Sequence, residues 1–129
     1  MSEGVQAEAT KTVRIGCYSV GLMVFELRAG WFRGGRFDMS PPTARMEVGL
    51  DGEWPEVVSA LLHEALEACC AVKGQRWSPW PDASLESSHC LFVLSHQEFA
   101  QAIAAVAGFA VKALPELAKA HAKHHKKGR

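Results

Sequence analysis

The segment 55–73, PEVVSALLHEALEACCAVK, places the tightest constraint on the fold. Pro55 suits a first helical turn, where a missing N–H costs nothing, and Gly74 suits the residue that ends a helix. At about 100° per residue, Val58, Leu61, Leu62, Ala65, Leu66, Cys69 and Val72 fall on one broad apolar stripe. A stripe of that width must be buried, so the rest of the chain has to supply a surface for it.

The first half of the chain supplies one. Residues 13–20 and 22–28 are rich in β-branched and aromatic residues and are separated by Gly21, which predicts a hairpin or closely paired strands. Residues 31–37 are interrupted by Gly34-Gly35, a tight-turn signal. Pro41-Pro42 breaks regular structure, and residues 44–50 then alternate polar and apolar as a half-buried strand does. Beyond the helix, residues 75–88 carry two prolines and read as a loop, and 89–94 read as a short apolar strand. Ser95-His96-Gln97-Glu98 matches the S-x-x-E capping box, so a second helix starts with His96 in its first turn. It is expected to run through Ala113 and to kink or end at Pro115. Strands first, then two helices, is an α+β order with a small antiparallel sheet. The expected divisions are a frayed start at 1–11, one domain at 12–114 and a loosely held basic tail at 115–129.

At 129 residues with 48% hydrophobic and 22% charged side chains, the composition is that of one globular domain. The zero net charge conceals an asymmetry: residues 119–129 hold five Lys/Arg and no acid, leaving the other 118 residues at minus five. An acidic body is a poor general nucleic-acid binder, so no specific nucleic acid is expected. No apolar run approaches the roughly 18 residues of a spanning helix, and the start lacks a basic-then-apolar leader. The expectation is therefore a cytoplasmic protein without a membrane partner. Four cysteines with no CxxC pair agree with a reducing compartment.

His63 and Glu67 lie one turn apart on α-helical spacing, opposite the predicted apolar stripe. Side chains at i and i+4 can point at one ion, and zinc accepts a carboxylate oxygen where H-E-x-x-H would place a second imidazole. Glu64 is then placed to act as general base. A His/Glu pair opposite an apolar stripe is also what an ordinary solvated face presents. His96 adds weight, because a helix N-terminus favours the neutral imidazole that binds metal.

The runs 61–68, LLHEALEA, and 94–100, LSHQEFA, resemble zincin-like metallopeptidases encoded by phages and prophages, which carry H-E-x-x-E and a later His at the next helix start. The resemblance covers mainly residues 44–113. It implies a zinc ion held by His63, Glu67 and His96, with Glu64 as catalytic acid/base, in the cytoplasm of a host cell. It also implies that the strand 44–50 is the edge holding a peptide or protein substrate by β-addition. The alternative of a different class is a non-catalytic accessory or inhibitor protein that grips a host protein.

Other groups compete for these roles. His89 and Cys90 are alternative ligands if His96 is not one, and Cys70 shares the His63 face. His121, His124 and His125 read as part of a solvated helix end. Trp77 and Trp80 sit in the proline-containing 75–88 loop, where a cover over the cleft or ordinary packing are both open.

Overall fold

The computed structural model describes residues 11–39, 44–72, 76–77 and 91–127. Strands β1 (Thr12–Val20), β2 (Met23–Gly30), β3 (Gly35–Asp38) and β4 (Arg45–Gly49) precede helix α1 (Trp54–Val72). Two short strands, β5 (Arg76–Trp77) and β6 (Leu91–Phe92), pair antiparallel before the long helix α2 (His96–Lys127). The fold is α+β, as the order of sequence signals predicts.

β1 and β2 form the predicted hairpin, with Val20 opposite Met23 and Gly21 at φ 63° in the first central position of the turn. Glycine reaches that conformation without steric cost. The sheet order is β1-β2-β4-β3, which departs from a purely antiparallel sheet. β4 runs parallel to β2 and antiparallel to β3. The segment 31–34 carries the chain over the end of β4 to the far side, so β4 returns into the gap left between β2 and β3. Three carbonyls of that passage hold the end of β4. Gly49 N–H donates to Gly34 O at 2.7 Å, Leu50 N–H to Gly30 O at 2.8 Å, and Asp51 N–H to Phe32 O at 3.1 Å. A Cβ on residue 49 would lie 2.0 Å from Phe32 O, so only glycine permits the crossing.

This topology corrects the expected edge. The strand containing residues 45–49 is internal, and the free edges belong to β1 and β3. Alternation along 44–50 correctly marks a half-buried strand, but it reports which face a side chain takes and not which strand lies beside it.

α1 packs on β3, β4 and α2. Val57, Leu61, Ala65 and Ala68 join Phe25, Leu27, Met46 and Val48 in the core, together with Val106, Phe109, Ala113 and Leu117 of α2. The buried face is rotated from the predicted stripe: Leu62 is exposed, whereas Val57, Ala68 and Cys70 are buried. Helix α2 begins with the predicted capping box, Glu98 N–H donating to Ser95 Oγ at 3.0 Å and Ser95 N–H to Glu98 Oε1 at 2.8 Å. It then continues through Pro115 for 32 residues. Burial of Ala113 and Leu117 on either side of the proline offsets the lost backbone hydrogen bond. By length and composition alone α2 also qualifies as a membrane-crossing helix; here its Ala102, Phe109, Ala113 and Leu117 are buried.

The C-terminal turns of α2 differ most from the loosely held tail expected. His121 Nε2–H donates to Gly52 O at 2.9 Å, His124 to Asp51 Oδ1 at 2.8 Å, and His125 to Leu50 O at 2.8 Å. The 121 and 124 imidazoles also meet Trp54 and Trp31, with ring centroids 5.4 and 5.0 Å apart. Spacing of i, i+3 and i+4 puts the three histidines on one face, and that face covers the connection from β4 to α1.

Candidate functional site

His63 and Glu67 meet as the i,i+4 spacing predicts, Nε2 to Oε1 at 3.0 Å. The surroundings are not those of a solvated face. The His63 side chain is 65% exposed but that of Glu67 only 10%, so the carboxylate is held in the wall and the imidazole reaches outward. Leu66, Cys70, Phe92, Leu94 and Phe99 complete a small cleft around the pair, about 170 Å³ in volume. Apart from the two polar groups its walls are apolar. Cys69 and Cys70 are buried and in no disulfide, whereas Cys17 on β1 is exposed.

Glu64 turns toward the sheet. It retains only 8% of its accessible surface, and its Cγ packs where a side chain on Gly35 would stand, 2.9 Å from a Cβ built there. Gly35, read from sequence as a turn residue, is thus the first residue of edge strand β3 and the floor under this carboxyl. No hydrogen-bond donor meets the Glu64 carboxyl among the described residues. Burial raises its pKa above the ordinary carboxylate value; His63 nearby opposes the rise and Glu67 adds to it. A carboxyl that is desolvated and lacks a donor holds its proton more tightly, which suits proton transfer.

His96 stands at the first position of α2 and is exposed. It precedes Phe99, which lines the cleft, by three positions in the helix. His96 does not itself line the cleft. Among the described residues no group of three or more His, Cys, Asp or Glu side chains is gathered closely enough to hold a metal ion. His89, Cys90 and Trp80 lie outside the described residues, as does the side chain of Trp77.

The donor set fits a divalent ion in part. Two ligands on a tetrahedral zinc, each bonded at about 2.0–2.2 Å, sit roughly 3.4 Å apart. His63 Nε2 and Glu67 Oε1, at 3.0 Å, need to open by only a few tenths of an ångström to share one. The third protein ligand of a catalytic site is not assembled beside them. Compared with models of known protein families, with curated proteins and with solved structures, the chain matches none.

Proposed function

We propose that the protein is a zinc-dependent hydrolase of zincin-like type that acts on a peptide or protein, with His63, Glu67 and His96 holding the metal. The observation that carries this reading is the His63–Glu67 pair at the mouth of an apolar cleft, beside the buried Glu64 carboxyl, which meets no donor among the described residues. A carboxyl kept at low exposure with a raised pKa costs stability, and such groups concentrate where chemistry is done. His96 joins the pair by a side-chain and first-turn adjustment of α2.

Zinc, when bound, supplies Lewis acidity and lowers the pKa of a coordinated water. The chain's own groups do the rest. Glu67, fixed in the wall, keeps its Oε1 beside His63 Nε2 at 3.0 Å, so the two atoms that would hold the metal already lie side by side. Glu64 accepts a proton at its carboxylate and returns it to the leaving amine, a role its raised pKa favours. Edge strand β3, which begins under Glu64, offers unpaired backbone groups to an extended peptide. The apolar walls at Phe92, Leu94 and Phe99 receive a hydrophobic side chain of that peptide and exclude water from it.

A second reading rests on the same walls. Phe92, Val93 and Phe99 are exposed to half or more of their surface or nearly so, at 49%, 59% and 49%. Such a rim fits a binding module that grips an apolar side chain of a host protein with no metal. The test is metal content of the full-length protein by mass spectrometry, beside His63→Ala, Glu67→Ala and His96→Ala variants. About one zinc per chain, lost in all three, supports the hydrolase and leads to peptide-cleavage assays with Glu64→Gln as control. A metal-free protein after zinc is added back, or zinc retained in the variants, leaves the binding module.

A further inference from the structure

A second, larger pocket lies between the start of β1 and the last turns of α2. Its volume is about 340 Å³, twice that of the cleft at His63 and within the range of small-molecule sites. Its construction is specific. The pairing of β1 with β2 slips between Arg14 and Gly16, leaving Ile15 as the extra residue of a β-bulge. A regular strand sends consecutive side chains to opposite faces, whereas a bulge re-aims one of them. Here Val13, Arg14 and Ile15 all line the pocket. From α2, Ala120, Lys123 and His124 reach it at i, i+3 and i+4 spacing.

The lining divides into an apolar floor and a cationic rim. Trp31, Leu50, Val13 and Ile15 form the floor. The Trp31 indole, 48% exposed, is propped edge-on by His124 at 5.0 Å. Among the described residues the rim holds no carboxylate. Arg14 is already engaged, with Nε 3.4 Å from Glu26 and its terminal nitrogen 3.2 Å from Cys17 Sγ. His124 gives its Nε2–H to Asp51. Lys123 has no ion-pair or hydrogen-bond partner among the described residues.

We propose that this pocket binds a small anionic amphiphile, its acidic group on Lys123 with Arg14 beside it and its apolar body against Trp31, Leu50 and Ile15. A lysine that shares a pocket with an exposed indole and an aliphatic floor matches a carboxylate or similar acid on a hydrophobic chain or ring. The site is independent of the His63 cleft.

The test uses the full-length protein and decanoate, followed by calorimetry and by the Trp31 indole N–H signal in heteronuclear NMR, assigned with Trp31→Phe. The expected result is one decanoate per chain with a saturating shift of the Trp31 signal. Affinity should fall at least tenfold in Lys123→Glu and at least tenfold when decanol replaces decanoate. Equal binding of decanol, or a response unchanged in Lys123→Glu, would overturn the proposal in favour of a plain apolar patch. Vesicles of phosphatidylglycerol and of phosphatidylcholine separate the sources of the acid. Sedimentation with the anionic vesicles that is lost in Lys123→Glu, with no response to decanoate, would replace the pocket ligand by a membrane surface.

Discussion

The two ends of α2 present histidines under opposite conditions. At the N-terminal end His96 is exposed and His63 of α1 reaches out of a cleft with one partner, Glu67. At the C-terminal end His121, His124 and His125 each give an Nε2–H to a fixed acceptor on the 50–52 connection. All four histidines place Nε2 on an acceptor, so what separates the two ends is burial: the His63 side chain is 65% exposed and that of His124 15%. A half-buried imidazole fixed to a distant part of the chain is a structural clamp, and an exposed one paired along its own helix is available to a ligand.

Breaking the clamp should have the largest effect. Replacing His121, His124 and His125 together with alanine is expected to cost about 2–4 kcal/mol, three hydrogen bonds at roughly 1 kcal/mol each plus lost contact with Trp31 and Trp54. Urea denaturation of the triple variant measures it, and a loss below about 1 kcal/mol would show the clamp to be ornamental.

The converse experiment adds a ligand to the other end. Zinc at a hundredfold excess over its Kd should stabilise the wild-type chain by about 2.7 kcal/mol, seen as a rise in Tm. His63→Ala should abolish the rise, and the triple tail variant should keep it. Stabilisation that instead follows the tail histidines would reverse the assignment of the two ends.

Smaller effects sharpen the contrast. Loss of the Ser95 cap in Ser95→Ala is expected to cost about 1 kcal/mol, with fraying confined to the start of α2 in hydrogen exchange. Glu64→Gln should stabilise the metal-free protein by about 1 kcal/mol near neutral pH. The sign follows from the raised pKa: a carboxyl that binds its proton more tightly when folded contributes stability below its unfolded pKa. That contribution is lost as pH rises through the folded pKa. The advantage of Gln should therefore shrink as the pH falls through the ordinary carboxylate range, and thermal melts across pH 4 to 8 would reveal a gain independent of pH if burial were not the cause. Asp51→Asn, which keeps an acceptor for His124 on an exposed pair, should change stability by less than about 0.5 kcal/mol.

Signals at fixed offsets were legible in the sequence. Gly21 marks its turn, Ser95 and Glu98 form their box, and the His63–Glu67 spacing delivers a contact. Signals that depend on what lies across the molecule were not. Alternation along 44–50 carries no word on strand neighbours and could not test the edge position that the resemblance implies; β4 is internal. Helical periodicity puts Glu67 opposite the apolar stripe and says nothing of what covers it or Glu64; their burial depends on Gly35 leaving room and on the cleft wall closing over α1. Pro115 is a break by propensity, overruled by the packing of Ala113 and Leu117. The tail histidines did carry a cue in their 121, 124 and 125 spacing, but their acceptors lie some 70 residues away.

The placement of β4 between β2 and β3 also sets an order of assembly. The β1–β2 hairpin is local and can close first, but β3 has no partner in the sheet until the chain that follows it has arrived. A nascent chain that has emerged only to Asp38 exposes the edge of β2 along Glu26 to Gly30, the residues that later pair with Arg45 to Gly49. Closure of the slot is thus a late, non-local step, and the same open edge is where two incomplete chains would join each other.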